Sequence, residues 1–197
     1  LVLILAIIGI IYGAIIAIRQ QDVKRLIAYS SLSHVGLMIA GVFSLTHIGL
    51  QGASIQMLAH GINVVGMFFV ADAIERRTGT RQIPDLGGLT RQTPVLSVCF
   101  LVLLLGTVAL PLTNGFVGEF LLLQGVYQYN AWMGAVAGVT IILGAVYLLR
   151  MFQRVMLGPD SSFSATITDL TGAELAVLVP LIVLVFWIGL FPNTFLH

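Results

Sequence analysis

The 197-residue sequence is 58% apolar and only 9% charged, whereas a soluble domain usually carries about 25% charged residues. With a mean hydropathy of +1.05, this composition predicts an integral membrane protein. A net charge of +1 without a basic block argues against an electrostatic nucleic-acid site, and a single cysteine excludes a disulfide framework and a thiolate metal site.

Six apolar segments follow one another along the chain, and short polar connectors separate them. A membrane-crossing helix needs about 20 apolar residues, whereas strands of a membrane barrel would alternate polar and apolar residues. The sequence therefore predicts an all-α, polytopic membrane helix bundle that forms one transmembrane domain over residues 1–197. The predicted spans are residues 1–18, 26–48, 52–73, 94–124, 131–149 and 173–191.

The chain begins at Leu1, inside the first apolar segment. Neither a charged region nor a cleavage site of small residues accompanies that segment, although a secretory signal peptide has both. We therefore expect the sequence to be the C-terminal part of a longer protein.

All nine lysines and arginines lie in or beside the connectors that follow the first, third and fifth spans. With six spans these connectors share one face of the membrane, which the positive-inside rule makes cytoplasmic. Both ends of the sequence then face outward. Aromatic residues suited to a membrane interface are expected at the outer boundary; they are Tyr127, Tyr129, Trp132 and Trp187.

Glu119, in the fourth span, is the one charged residue between Arg91 and Arg150. Ionisable residues inside membrane spans are rare and usually mark transport pathways. Burial disfavours the carboxylate, whereas the start of a nearby helix favours it, so this carboxyl is suited to gain and lose a proton. The alternative is a structural role, in which Glu119 reaches the outer interface or pairs with a neighbour.

The segment Pro111–Gly115 interrupts the fourth span just before Glu119. Proline has no backbone N–H and clashes with the preceding helical turn. We therefore expect a broken helix, with a first half over 95–110, a link over this segment, and a second half capped by Thr113 or Asn114. Irregular backbone at this depth is tolerated where protein or a water-filled cavity surrounds it, and broken helices near the midplane mark ion sites in transporters.

Two further spans carry polar residues at helical spacing. Ser30 and His34 are four residues apart in the second span, and His60 belongs to a stripe with Gln56 and Asn63 in the third. Because imidazole both accepts and donates protons, we predict that His34 and His60 line a proton pathway beside the broken helix. The alternative is that each histidine only holds neighbouring helices together.

The other histidines, His47 and His197, lie at a span end and at the terminus, and we assign them no role. No cluster of histidine or cysteine has the spacing of a metal site, although spacing alone leaves haem ligation by His34 and His60 open. A nucleophile motif such as Gly-x-Ser-x-Gly is also missing from the sequence. We therefore expect neither a metal nor a cofactor in this chain.

Three stretches of the sequence form a recognisable signature: Gln21–Ser31 continued by Ser33–Gly36, Gln56–Gly61, and Leu110–Phe120. They resemble the signature of the antiporter-like subunits of respiratory complex I and of the related multisubunit sodium/proton antiporters. The resemblance spans nearly the whole chain, although most of these subunits place Lys where this chain has Glu119. It implies that the six spans are the last six of a fourteen-span protein, and that the first five form the second of two inverted repeats.

The same resemblance implies a function in proton translocation by an NADH:quinone oxidoreductase, driven by electron transfer elsewhere in the complex. Glu119 would be the terminal carboxylate of a proton channel, and His34 and His60 would be histidines of its central axis. Flavin, iron–sulfur clusters and quinone are expected on other subunits. Neighbouring antiporter-like subunits and the bilayer of a bacterial inner membrane are expected partners.

The family's channel lysine would precede Leu1, and Lys24 is interpreted as a residue of the cytoplasmic end. The alternative is a subunit of a sodium/proton antiporter without a redox partner.

Overall fold

The computed structural model describes residues 1–196, which form seven α-helices and no β-strand. Five of the helices are long and apolar enough to cross a membrane, and the two shorter ones follow each other across the predicted break. The predicted all-α membrane bundle with one broken helix is thereby confirmed. The helices are α1 (Val2–Arg19), α2 (Val23–Phe43), α3 (His47–Thr78), α4 (Pro94–Thr107), α5 (Asn114–Tyr129), α6 (Ala131–Met156) and α7 (Gly172–Leu190).

Several helices end elsewhere than hydropathy predicts. α3 continues to Thr78, beyond the predicted residue 73, because its charged last turns lie at the end of the bundle, where Gly79 in a left-handed conformation stops the helix. α6 likewise continues to Met156, beyond residue 149. In contrast, α2 ends at Phe43 and not at residue 48, because Leu45 takes a positive φ of 53°. The polar connectors that follow α3 and α6 are therefore shorter than the sequence suggested.

The break in the fourth span begins earlier than predicted. α4 ends at Thr107 and not near residue 110, because Ala109 adopts a left-handed conformation with φ 61°. The N–H of Ala109 bonds to the carbonyl of Gly106 at 3.3 Å, and the N–H of Leu110 bonds to that of Leu105 at 3.0 Å. This pair of hydrogen bonds is the Schellman motif, which usually has glycine at the left-handed position. The helix thus closes before the proline is reached.

The second half of the broken helix starts at Asn114, but neither predicted side chain caps it. Thr113 occupies the N-cap position, yet its hydroxyl donates to the carbonyl of Leu110 at 2.6 Å. The amide of Asn114 bonds to α3 instead. Leu112 also has a positive φ, of 77°. Non-glycine residues in this conformation carry backbone strain, which clusters at functional sites.

Helix packing places the centre of the bundle between α2, α3 and α5. α1 and α2 form a pair, α3 packs along α5, and α6 contacts both α1 and α5. Two glycines allow the close approach of α3 and α5. A Cβ atom at Gly52 would meet backbone atoms of Leu121 and Leu122 at 2.9 and 2.6 Å, and one at Gly118 would meet the Cβ of Gln56 at 2.7 Å.

The three basic connectors meet at one end of the bundle, which we call the basic end. Asp22 forms an ion pair with Arg81 at 2.6 Å, and the backbone N–H of Val23 bonds to the Arg81 carbonyl at 3.0 Å. Arg91 forms an ion pair with Asp160 at 2.7 Å. These contacts join the connectors that follow α1, α3 and α6, so their positive charges share one end.

Candidate functional site

Glu119 lies in the interior of the bundle, on the second half of the broken helix. Its side chain is only 2% exposed, and its Oε1 lies 2.9 Å from Nδ1 of His34 on α2, whose side chain is 3% exposed. The carboxylate therefore does not extend to the membrane interface, which was one structural alternative. Its only titratable neighbour within ion-pair distance in residues 1–196 is an imidazole.

The contact between His34 and Glu119 has the distance of an ion pair but not the direction of a hydrogen bond. Within the described chain, both ring nitrogens of His34 and Oε1 of Glu119 are buried without a hydrogen-bond partner. Proton exchange needs such a short distance, with a proton on one group and a free lone pair on the other.

His60 lies directly beside His34. The ring centroids of the two histidines are 5.4 Å apart, with planes tilted by 42°. Nε2 of His60 is 2.7 Å from the hydroxyl of Ser31, so that nitrogen is already engaged by the protein. The structure therefore brings together His34, His60 and Glu119, which the sequence placed on three separate spans.

A pair of asparagines connects the break to α3. Nδ2 of Asn63 donates to Oδ1 of Asn114 at 3.1 Å, and Nδ2 of Asn114 donates to the carbonyl of Ala59 at 3.2 Å. A Cβ atom at Gly106 would lie within 3.2 Å of both amides, so glycine is needed there. The sequence predicts Asn114 only as a helix cap, because nothing in local spacing indicates a partner on a distant helix.

Buried polar atoms without a protein partner concentrate on the helices around Glu119. In native proteins nearly all buried polar atoms bond to protein or to ordered water. These atoms are therefore suited to bind ordered water. In the part of the chain that the structure describes, Nε of Arg77 is one such atom, in the last turn of α3. The other side-chain atoms of this kind are Nδ1 and Nε2 of His34, Oε1 of Gln56, Oδ1 of Asn63, Oε1 of Glu119 and Oγ1 of Thr140.

The fold and the site define a polytopic membrane protein with a broken helix and a buried ionisable pair, an architecture that many transporters share. The family described as "NADH:quinone oxidoreductase/Mrp antiporter, TM" matches residues 1–144. The chain belongs to this family, so the resemblance predicted from the sequence is confirmed.

A curated relative shows how far the likeness extends along the chain. The chain is 44% identical over 194 residues to NADH-quinone oxidoreductase subunit M of Mycobacterium tuberculosis, covering 98% of this chain but only 35% of that relative. The chain thus spans about a third of the length of this relative.

Among solved structures, a chain of respiratory complex I from Thermus thermophilus with bound NADH matches with a TM-score of 0.92 and 36% identity. This match covers 98% of the present chain and 41% of the other. A chain of the Mrp complex from Dietzia sp. DQ12-45-1b matches with a TM-score of 0.87 and 19% identity, over 99% and 45% of the two chains. The second likeness shows the fold alone.

Proposed function

We propose that this chain is part of a proton-translocating membrane subunit of an NADH:quinone oxidoreductase, in which electron transfer on other subunits drives pumping. The observation that carries the proposal is the buried contact of 2.9 Å between His34 and Glu119. An isolated charge is costly in this interior, and a proton moved from imidazolium to carboxylate converts an ion pair into a neutral pair. The short contact therefore gives the proton two places to reside within one buried pair.

In the proposed route the proton passes from the side of His60 through His34 to Glu119. His60 and His34 are adjacent at 5.4 Å between ring centroids, and a water molecule can bridge their nitrogens. His34 then gives its proton to Glu119. α5 continues from Glu119 away from the basic end, so the carboxyl releases the proton towards the opposite face.

The setting of this subunit is part of the same proposal. The basic end would face the cytoplasm of a bacterial cell, following the positive-inside rule, and both ends of the chain would face outward. Other membrane subunits of the complex, especially neighbouring antiporter-like subunits, would be its partners. Flavin, iron–sulfur clusters and quinone would be held by other subunits, and the 44% identity to NADH-quinone oxidoreductase subunit M of Mycobacterium tuberculosis supports this context.

The second candidate function is that of a subunit in a multisubunit sodium/proton antiporter with no redox partner. The family description, which includes Mrp antiporters, favours it, as does the shared fold of the Dietzia complex. The first candidate is better supported, because identity is 44% and 36% to the oxidoreductase proteins against 19% to the Mrp chain.

Inverted membrane vesicles that contain the complete complex distinguish the two candidates. If the first is correct, adding NADH drives proton uptake into the vesicles, and a protonophore abolishes that uptake while NADH oxidation continues. If NADH drives no uptake while an imposed sodium gradient moves protons, the oxidoreductase proposal is wrong. The control is a vesicle preparation from cells that lack this chain.

A further inference from the structure

A polar cavity of about 440 Å³ opens at the basic end of the bundle, between α1, α2 and α6. Three arginines line it, Arg19, Arg150 and Arg154, and none of them forms an ion pair with an acidic residue within residues 1–196. Guanidinium groups without an acidic partner remain hydrated. The cavity is therefore suited to hold water at the basic end.

Tyr147 forms part of the cavity wall, and its hydroxyl contacts a second buried hydroxyl. The oxygen of Tyr147 lies 3.1 Å from Oγ of Ser30, and either group can donate this hydrogen bond. Each of the two residues is only 2% exposed. The two hydroxyl groups therefore connect the cavity wall on α6 with the polar face of α2.

Ser30 and His34 share that face, since they are one helical turn apart with Cβ atoms about 5–6 Å from each other. Both ring nitrogens of His34 are buried without a partner in the described chain. One water molecule between Ser30 and His34 would bond to both groups. A continuous set of polar groups then extends from the cavity to Glu119, which lies 2.9 Å from His34.

We propose that Tyr147 and Ser30 relay protons between the cavity at the basic end and the His34–Glu119 pair. An excess proton, carried by cavity water as hydronium, binds to the oxygen of Tyr147 and leaves neutral water behind, while the hydroxyl proton of Tyr147 passes to Ser30. The hydroxyl proton of Ser30 passes through the intervening water to His34, and rotation of both hydroxyls restores the starting state. Neither hydroxyl keeps a net charge. The relay rests on the proposed function and adds a second entry to the same site.

The variant Tyr147→Phe tests the relay in the complete complex, because it keeps the ring and removes the hydroxyl. We expect NADH-driven proton uptake per complex to fall about twofold, far less than the 10²–10⁴-fold typical of a positioned proton-transfer group, because the entry through His60 remains open. Ser30→Ala is expected to give a similar fall, and the double variant no further fall, because both act on one route. The matched control is Tyr12→Phe, which removes a hydroxyl from a tyrosine that is 59% exposed.

Other results would overturn the relay. If Tyr147→Phe takes up protons like the wild type while Glu119→Gln does not, the relay is wrong and the proposed function stands. If neither variant changes uptake, the proposed function is wrong as well. If Tyr147→Phe lowers only the amount of assembled complex, with uptake per complex unchanged, the tyrosine has a packing role and the relay is wrong.

Discussion

Replacing Glu119 with Gln in the complete complex is expected to lower NADH-driven proton uptake about tenfold or more. Glutamine keeps the size of the side chain and its polar contact with His34, but it cannot bind and release a proton. A positioned proton-transfer group contributes about 10²–10⁴-fold, of which water can recover a part. The measurement is the number of protons taken up per NADH oxidised in sealed inverted vesicles.

The matched control for this variant is Glu75→Gln. Glu75 lies near the basic end of α3, is 33% exposed, and pairs with Lys24 at 2.6 Å. Lys24 also has Asp72 at 3.0 Å, so the loss of one carboxylate leaves it paired, and uptake should stay close to that of the wild type. Wild-type uptake in Glu119→Gln would contradict the assigned role of this carboxyl.

Replacing Gly52 with Ala is expected to destabilise the bundle by about 3 kcal/mol, the upper end of the usual overpacking range. The added methyl group would meet backbone atoms of Leu122 and Leu121 at 2.6 and 2.9 Å. Backbone atoms cannot rotate away as a flexible side chain can, so α3 and α5 must separate. The measurement is thermal denaturation of the purified complex. The loss of this chain from the complex is monitored as the temperature rises.

Gly61→Ala, on the same helix, is the control for this substitution. A Cβ atom at Gly61 would meet nothing within 4 Å, and alanine favours a helix over glycine by up to about 1 kcal/mol. We expect this variant to denature at or above the wild-type temperature. Equal stability of Gly52→Ala and the wild type would show that α3 and α5 do not pack as closely as described.

Composition was sufficient to predict the membrane bundle, and Pro111 was sufficient to predict that the fourth span is broken. The position of the break was less predictable. Ala109 ends α4 by adopting a left-handed conformation, which alanine rarely does and which no local pattern indicates. The ends of α3 and α6 were also misplaced, because a helix can continue past the apolar region when its last turns carry charged residues.

The residues of the candidate site could be predicted from the sequence, but the contacts between them could not. Glu119, His34 and His60 are conspicuous because ionisable residues are rare in apolar spans. Their contacts join helices distant in sequence, and packing alone determines those contacts. Tyr147 was missed for a different reason: a tyrosine in an apolar helix is common, and its importance arises only from the hydroxyl of Ser30 at 3.1 Å.

Protonation of Glu119 during turnover can be followed by infrared difference spectroscopy of the complete complex before and after NADH is added. A protonated carboxyl in an apolar site has a C=O stretch separate from that of the carboxylate. We predict a change in this band in the wild type and in Glu75→Gln, and its loss in Glu119→Gln. An unchanged band in Glu119→Gln would contradict the claim that this buried carboxyl carries the proton.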